Sequence, residues 1–189
     1  MNIIFTKIRD TKLPSVAYSS DAGIDLYIPN SSEEFLEDLQ NLNQKLIEKG
    51  NELNFYQMRE HKDDDLKTCI KIGPSSRVMI PMGVKSVIDT DVALVALNKS
   101  GIATKLGLIV GAQVIDSGYR GEIIINFINT SNKTVTLTSG EKVAQLVPIR
   151  LFERKLEIVS NDEYEKISKD IELKTIGNSR LDGGFGSSN

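Results

Sequence analysis

Short apolar runs rich in β-branched residues, separated by turn-forming residues, make up most of the chain. Runs of this kind are typical of β-strands. They predict strands at residues 3–8, 26–28, 68–72, 77–81, 84–88, 92–97, 143–147 and 151–159, with a hairpin over residues 130–139. Many short strands without alternating helices favour an antiparallel sandwich, barrel or jelly roll, so the predicted fold class is all-β.

Residues 31–67 depart from this strand pattern. Four apolar residues between positions 35 and 46 repeat at helical spacing, which predicts an amphipathic helix over residues 33–49. Ser31 followed by Glu34 fits a capping box at its start. No strand is predicted in this segment. Its apolar stripe is expected to pack against the body of the protein or a neighbouring subunit, and a partner-binding surface is the alternative.

A polar turn lies between two apolar runs, residues 106–115 and 123–128, which together predict a β-hairpin. Asp116 and Tyr119 stand at its mouth. A carboxylate that is fixed by a sheet but reachable from a cleft can act as a general base. An aromatic ring offers a flat face to a sugar or a base. The plainer interpretation is that Asp116 starts the turn by bonding its own backbone.

Charge and cysteine content narrow the partners and the compartment. A net charge of −3 and a pI near 5.3 argue against direct nucleic-acid binding, although they leave room for a local basic pocket for one triphosphate. One cysteine, Cys69, and one histidine, His61, cannot assemble a structural zinc site. No apolar run reaches the length of a signal peptide or a membrane span. We therefore expect no membrane association and an intracellular protein, in the cytoplasm or, if viral, in the host cytoplasm.

Five short motifs occur in a fixed order along the chain. Residues 111–122 resemble the third motif of the trimeric dUTP pyrophosphatases (dUTPases). Residues 21–27 resemble the first motif of that family and residues 98–103 the second. Residues 140–146 resemble the fourth motif and residues 180–188 the fifth. Any single match would be weak, but five matches in order make coincidence a poor explanation.

The resemblance implies a jelly-roll-like β-barrel of the dUTPase type at residues 1–175, with residues 31–67 as a helical insertion. Residues 176–189 would form a flexible arm that covers the phosphates and the uracil. The implied reaction is hydrolysis of dUTP to dUMP and pyrophosphate, which limits uracil in DNA and supplies dUMP for dTMP synthesis. Mg²⁺ would be carried by the triphosphate, with no metal-ligating residue in the protein. Homotrimers with shared active sites are expected.

The resemblance also assigns roles to individual residues. Asp116 would be the catalytic base, and Asp25 would act near the phosphates through water or neighbouring side chains. Backbone groups of the hairpin arms would read uracil, and Tyr119 would leave no room for a 2′-hydroxyl. Arg180 would meet the terminal phosphate, and Phe185 would stack on uracil. The full set of expected substrate-binding residues is Lys99, Ser100, Gly101, Gln113, Val114, Ile115, Tyr119, Ile124, Gln145, Arg180, Phe185, Gly186 and Ser187.

Several points stay open at this level. Lys99 stands where the family normally has arginine, so the charge is kept but the bidentate grip on phosphate oxygens is lost. Gln145 lies in an apolar run and is either a satisfied buried amide or a phosphate contact; the resemblance favours the second. A dCTP deaminase has a similar fold and turn, but it needs a glutamate where this chain has Asn126. The remaining alternative is a dUTP-binding regulatory protein of weak or absent activity that acts through the inserted helix.

Overall fold

The computed structural model describes residues 2–59, 65–153 and 155–174. The chain forms two compact units, Met1–Phe152 and Glu153–Asn189. The strands are β1 (Ile3–Lys7), β2 (Ile24–Tyr27), β3 (Leu53–Arg59), β4 (Leu66–Ile72), β5 (Arg77–Pro81), β6 (Val84–Ile88), β7 (Val92–Asn98), β8 (Leu108–Val110), β9 (Val114–Ile115), β10 (Ile124–Asn129), β11 (Val135–Thr138) and β12 (Lys142–Arg150). The helices are α1 (Glu33–Glu48) in the first unit and α2 (Asn161–Lys174) in the second.

The strands of the first unit pair in four antiparallel sheets, ordered β1-β6, β5-β10-β8, β11-β4-β3 and β2-β12-β7-β9. Neighbours in these sheets are mostly distant in sequence, as expected when a β fold closes through long-range pairing. The largest fully buried side chains come from several of these strands and from α1, which gives one shared core. The predicted antiparallel β architecture is therefore confirmed. The hairpin predicted over residues 130–139 is wrong, because among the described strands β11 pairs with β4 and not with a strand next to it in sequence.

Helix α1 occupies the predicted position, and its apolar stripe enters this core. Phe35 and Leu39 are almost fully buried, so packing against the body of the protein is confirmed. The cap is not at the predicted residue. Ser32 is the N-cap, and its hydroxyl accepts a hydrogen bond from the Phe35 amide at 3.1 Å. The Ser31 hydroxyl instead lies 2.7 Å from that of Thr68 on β4.

Strand β3 corrects the prediction that the segment after α1 contains no strand. It pairs with β4 along its whole length, from Leu53 opposite Ile72 to Arg59 opposite Leu66. Within β3 only Phe55 is buried, so burial of its side chains contributes little to forming the strand. The strand forms because β4 offers it a hydrogen-bonding edge. Residues 60–64, which follow β3, lie outside the described residues.

The strand predicted over residues 151–159 is wrong. β12 ends with Arg150 opposite Val92, and the described residues that follow are irregular until α2. Phe152 is 86 % exposed and Leu156 is 87 % exposed, so an apolar sequence is not enough where no strand accepts the pairing. Helix α2 follows these irregular residues and begins at Asn161. Among the described residues, neither helix has the length and apolar character needed to cross a bilayer.

Candidate active site

The predicted hairpin divides between two sheets. At its base, β8 pairs with β10, and the Gly111 amide donates to the Asn126 carbonyl at 2.9 Å. Beyond Gly111 the first arm turns away, and Val114 of β9 pairs with Val95 of β7. A Cβ on Gly111 would lie 2.3 Å from Asn126 Oδ1, so the glycine leaves the space in which the Asn126 amide lies. The prediction of one continuous hairpin is therefore corrected to two arms that separate.

A cavity of about 150 Å³ opens where the arms separate. It is lined by Ala96, Ala112, Val114, Ile115, Asp116, Tyr119, Ile123 and Ile124. Five of the residues predicted for the site therefore meet around one cavity. Gln113 does not line it. The Gln113 carbonyl accepts a hydrogen bond from the Ala96 amide at 2.8 Å, so that carbonyl is already used within the fold.

The Asp116 carboxylate is not used to build the turn. The turn is closed by the main chain, where the Tyr119 amide donates to the Asp116 carbonyl at 3.0 Å. Within the described part of the chain, the exposed Asp116 carboxylate makes no hydrogen bond and no ion pair. The interpretation in which Asp116 starts the turn through its side chain is wrong. Its carboxylate remains available at the edge of the cavity.

Tyr119 is held across the end of the same turn. Its hydroxyl donates to the Glu122 carbonyl at 2.7 Å. A Cβ on Gly121 would lie 2.5 Å from the Tyr119 hydroxyl oxygen, so the glycine leaves the space in which the ring end lies. The ring is 42 % exposed, which leaves a face open to a ligand in the cavity.

Glu122 itself is clamped by a residue that no pattern in the sequence indicates. Arg9 Nε and Nη2 donate to the two Glu122 carboxylate oxygens, both at 2.9 Å. The Gly83 amide donates to Glu122 Oε1 at 2.7 Å. Hydrogen bonding to Glu122, and then to Asp38, raises the pKa of the Arg9 guanidinium despite the opposing effect of burial. Arg9 lies in no motif and is 113 residues from Glu122, so only the folded structure shows the pair.

A second cluster surrounds Asp25 in the sheet β2-β12-β7-β9. Asp25 is 4 % exposed and is bonded to Lys99 and, at 2.7 Å, to Lys142. Burial alone would raise the pKa of the Asp25 carboxyl, but hydrogen bonds from Lys142 and Lys99 outweigh it and hold the pKa below its usual value. The bond to Asp25 correspondingly raises the pKa of Lys142. Lys142 is not among the predicted site residues, although it lies within the fourth motif.

Gln145 lies beside this cluster, opposite Asp25 in the β12-β2 register. Its amide nitrogen donates to the Asn98 carbonyl at 2.9 Å. A Cβ on Gly23 would lie 2.0 Å from Gln145 Oε1, so only glycine lets the first motif approach the amide this closely. Gln145 is thus a half-buried amide with a hydrogen-bond partner inside the protein, which agrees with the interpretation of Gln145 as a satisfied amide. Its contact to phosphate stays a prediction.

Ser100 and Gly101 begin a helical turn that no sequence pattern indicates and that continues as a short π-helix over Ile102–Leu106. The Ala103 amide donates to the Lys99 carbonyl at 3.0 Å, which sets the direction of the turn. A Cβ on Gly101 would meet nothing within 4 Å, and its φ of −63° suits any residue. No contact among the described residues therefore explains a glycine at position 101. The open space beside it is consistent with a ligand that approaches the main chain there.

The Asp25 cluster does not line the cavity that holds Asp116 and Tyr119. Lys99, Ser100 and Gln145 are not among the residues that line the 150 Å³ cavity. Two strand spacings separate β12 from β9 in the sheet order, which is about 10 Å at the usual spacing.

Among the described residues, no group of three or more acidic, histidine or cysteine side chains could hold a metal ion. Arg180, Phe185, Gly186 and Ser187 lie outside the described residues.

We expect the Asp25 cluster to make stability pH-dependent. Because the folded carboxyl binds its proton less tightly than the unfolded one, its stabilisation is fully present above the unfolded pKa and is lost as the pH falls through the lower folded pKa. The difference in unfolding free energy between wild type and Asp25→Asn should therefore be constant at neutral pH and shrink below about pH 4. Urea denaturation across this range measures it.

The control for this experiment is Asp91→Asn. Asp91 pairs with Arg150 at 3.2 Å, but the two side chains are 48 % and 80 % exposed, so the pair contributes little. Its removal should leave stability nearly unchanged at every pH. A wild-type advantage over Asp25→Asn that persists undiminished into acid unfolding would contradict the assigned pKa direction.

Comparison with known proteins decides the family. The family model for dUTPase matches residues 65–189. The deoxyuridine 5′-triphosphate nucleotidohydrolase of Legionella pneumophila (strain Paris) is 35 % identical over 131 residues, which are 66 % of this chain and 78 % of the relative. That of Shewanella sediminis is 32 % identical over 126 residues, 65 % of this chain and 74 % of the relative. The chain belongs to the dUTPase family. The predicted membership is confirmed.

Solved dUTPase structures share the fold at low sequence identity. The native EIAV dUTPase matches with a TM-score of 0.55 and 20 % identity, over 85 % of this chain and 98 % of the other. A mutant of the Staphylococcus bacteriophage 80alpha dUTPase with dUpNHpp matches with a TM-score of 0.63 and 16 % identity, over 100 % of this chain and 98 % of the other. The expected jelly-roll-like dUTPase fold is thus confirmed. The matched family region begins after α1 and β3, and the description of residues 31–67 as an insertion stays a prediction.

Proposed function

We propose that this dUTPase-family protein hydrolyses the magnesium complex of dUTP to dUMP and pyrophosphate, with Asp116 as the general base. The observation that carries the proposal is the cavity in which Asp116 and Tyr119 meet. A cavity for a whole drug-sized ligand usually measures about 300 to 1,000 Å³. The smaller cavity suits one ring of a nucleotide, so the triphosphate must extend beyond it.

In this proposal the apolar wall of the cavity receives uracil. Val114, Ile115 and Ile124 line it, and main-chain groups of the two arms would pair with the polar edge of the base. The open face of Tyr119 would lie under the sugar and leave no room for a 2′-hydroxyl. Because the Tyr119 hydroxyl is bonded to the Glu122 carbonyl, the ring is held in place before substrate binds, which supports selection of deoxyribose.

The chemical step uses the uncommitted carboxylate of Asp116. Asp116 takes a proton from a water molecule as that water forms a bond to the α-phosphorus. The bond from the α-phosphorus to the bridging oxygen breaks, and pyrophosphate leaves with both bonding electrons. Ser100, Gln145 and Arg180 would offset the developing charge. Magnesium enters bound to the triphosphate as part of the substrate, and the described residues offer it no cage of their own.

The positive cluster suits the phosphate end. Lys99 and Lys142 share the single carboxylate of Asp25, so the group keeps a net charge of one positive unit for an anionic ligand. Because Lys99 is bonded to Asp25, its orientation is fixed even without the forked geometry of arginine. Asp25 would then act behind Lys99 and Lys142 rather than by touching the substrate.

Separation of the two clusters supports a homotrimer with shared sites. One chain supplies the cavity, and Asp25 and Lys142 lie on β2 and β12, about two to three strand spacings from β9 in the same sheet. A neighbouring subunit would bring its Asp25 cluster to the cavity, and the arm at residues 176–189 would close over both. Light scattering should give a mass well above the 20.9 kDa monomer, and a monomer in solution would overturn the shared site.

The proposed activity is tested by pyrophosphate release from dUTP, dTTP, dCTP and UTP in parallel, each with magnesium. We expect turnover of dUTP alone, because in this proposal the small cavity would leave no room for the thymine methyl and Tyr119 would leave none for the ribose hydroxyl. UTP hydrolysis at the dUTP rate would contradict the role of Tyr119. Binding of dUTP without hydrolysis of any of the four would favour the non-catalytic regulatory alternative instead.

Three observations weigh against the alternative functions. Glu122, the nearest glutamate to a deaminase position, has both carboxylate oxygens committed to Arg9 and Gly83. The side chain beside Gly111 is the amide of Asn126, and an amide cannot act as an acid and base. For the regulatory alternative, α1 would need an accessible apolar face, but Phe35 and Leu39 are buried in the core.

A further inference from the structure

The turn that bears Asp116 and Tyr119 is tied down at its far end through one residue. The Glu122 carbonyl accepts from the Tyr119 hydroxyl, and the Glu122 carboxylate accepts from Arg9 and from the Gly83 amide. Glu122 therefore joins the ring of Tyr119 to a point outside the hairpin. Its side chain is 13 % exposed, so water competes little for these bonds.

Arg9 is in turn held by α1. Its Nη1 lies 2.6 Å from Asp38 Oδ2 on the helix and 3.8 Å from Glu34 Oε1. The Arg9 side chain is 15 % exposed, and its three nitrogens face three carboxylates. A two-bond guanidinium–carboxylate pair fixes direction as well as distance. The chain of contacts thus runs from α1 through Arg9 and Glu122 to Tyr119.

We propose that Arg9 is a positioning residue of the active site, which holds Tyr119 and the Asp116 turn in their working geometry and links them to α1. This proposal rests on the proposed function. Arg9 touches no substrate atom in it. Its effect reaches the sugar because the Tyr119 hydroxyl bonds the main chain of the residue that Arg9 clamps.

Loss of the clamp should be seen in selectivity as well as in rate. Without Arg9, the Glu122 carboxylate keeps the Gly83 amide as its one donor among the described residues, and the Glu122 carbonyl can shift with the backbone. Tyr119 then loses its fixed place under the sugar, and a 2′-hydroxyl can be accommodated. A displacement near 1 Å can cost about a hundredfold in rate, so a partial loosening should cost on the order of tenfold.

The experiment compares Arg9→Gln with Arg150→Gln. Arg150 also pairs with an aspartate, but that pair is largely exposed and lies outside the cavity. For each protein, kcat and KM are measured with dUTP and with UTP. The decisive quantity is the ratio of kcat/KM for dUTP to that for UTP, because the fraction of folded enzyme cancels from it.

We expect Arg9→Gln to lower kcat for dUTP about tenfold and the dUTP-to-UTP ratio about fivefold, while Arg150→Gln changes neither. Asp38→Asn should shift the ratio in the same direction by less, because Arg9 keeps both bonds to Glu122. If Arg9→Gln does not fold, Arg9→Lys decides the question, since lysine gives Glu122 only one point of attachment.

The failures of the two proposals are distinguishable. A wild-type protein that does not hydrolyse dUTP overturns the proposed function itself. An active wild type together with an Arg9 variant of unchanged ratio overturns the positioning role and leaves the function standing. A lowered melting temperature with an unchanged ratio also overturns the positioning role, because it assigns Arg9 to stability alone.

Discussion

Replacing Asp116 by asparagine should lower dUTP turnover by about a hundredfold or more, because a positioned general base contributes about that much. Asparagine has the same shape but takes no proton from the attacking water. Binding should be preserved, since the Asp116 carboxylate makes no contact within the described chain that the substitution would break. The turn should also survive, because its closing bond uses the Asp116 carbonyl. Steady-state kcat and a direct dissociation constant for dUTP separate the two effects.

The matched control is Asp91→Asn, which removes an exposed carboxylate that precedes β7 and does not line the cavity. It should keep the wild-type kcat. An Asp116→Asn protein with a near-normal rate would remove Asp116 from its catalytic role. A folded variant that no longer binds dUTP would show instead that the carboxylate holds the substrate.

Local patterns are sufficient to predict the features that depend on local physics. The α1 stripe repeats at helical spacing, and its members Phe35 and Leu39 are buried as that spacing requires. Strands such as Arg77–Pro81 and Val84–Ile88 follow from short apolar runs between turns. The meeting of Asp116 and Tyr119 at one cavity also follows locally, because the two residues belong to the same short turn.

Features that depend on residues far apart in the sequence could not be predicted from local sequence patterns. β3 has one buried residue and forms because β4 lies beside it. The apolar run after Arg150 has no such neighbour among the described strands and stays irregular. The Arg9–Glu122 clamp joins residues 113 positions apart. Nothing in a single sequence distinguishes Arg9 from the other arginines, so the clamp appears only once the fold brings the charges together.

Asn43 shows the same limit inside a correctly predicted helix. It stands on the buried face of α1 and is fully enclosed, where a sequence pattern expects an apolar residue. Its amide nitrogen donates to the carbonyls of Met79 and Leu39, both at 2.8 Å, and its Oδ1 accepts from the Met79 amide at 2.8 Å. The side chain therefore bonds the main chain of β5 as a neighbouring strand would.

This contact explains how the edge of β5 is protected. Among the described strands β5 pairs only with β10, in the order β5-β10-β8, so its other edge would expose unpaired amides and carbonyls. Met79 lies in the middle of that edge, opposite Asn126 of β10. Asn43 satisfies both of its main-chain groups, and α1 covers the strand that carries them.

We expect Asn43→Ala to lower the free energy of unfolding by about 2 to 4 kcal/mol, because a main-chain donor and a main-chain acceptor would each lose a partner. Gln44→Ala is the matched control, since Gln44 is exposed and its side chain bonds Glu48 on the same helix; its effect should stay within about 0.5 kcal/mol. Both substitutions introduce the same alanine into the same helix, so their difference chiefly reports the contact to β5. Urea denaturation at one protein concentration measures it, because subunit association would otherwise shift the midpoint. Equal stability of the two variants would mean that water replaces the Asn43 amide at Met79 and that α1 guards the edge by packing alone.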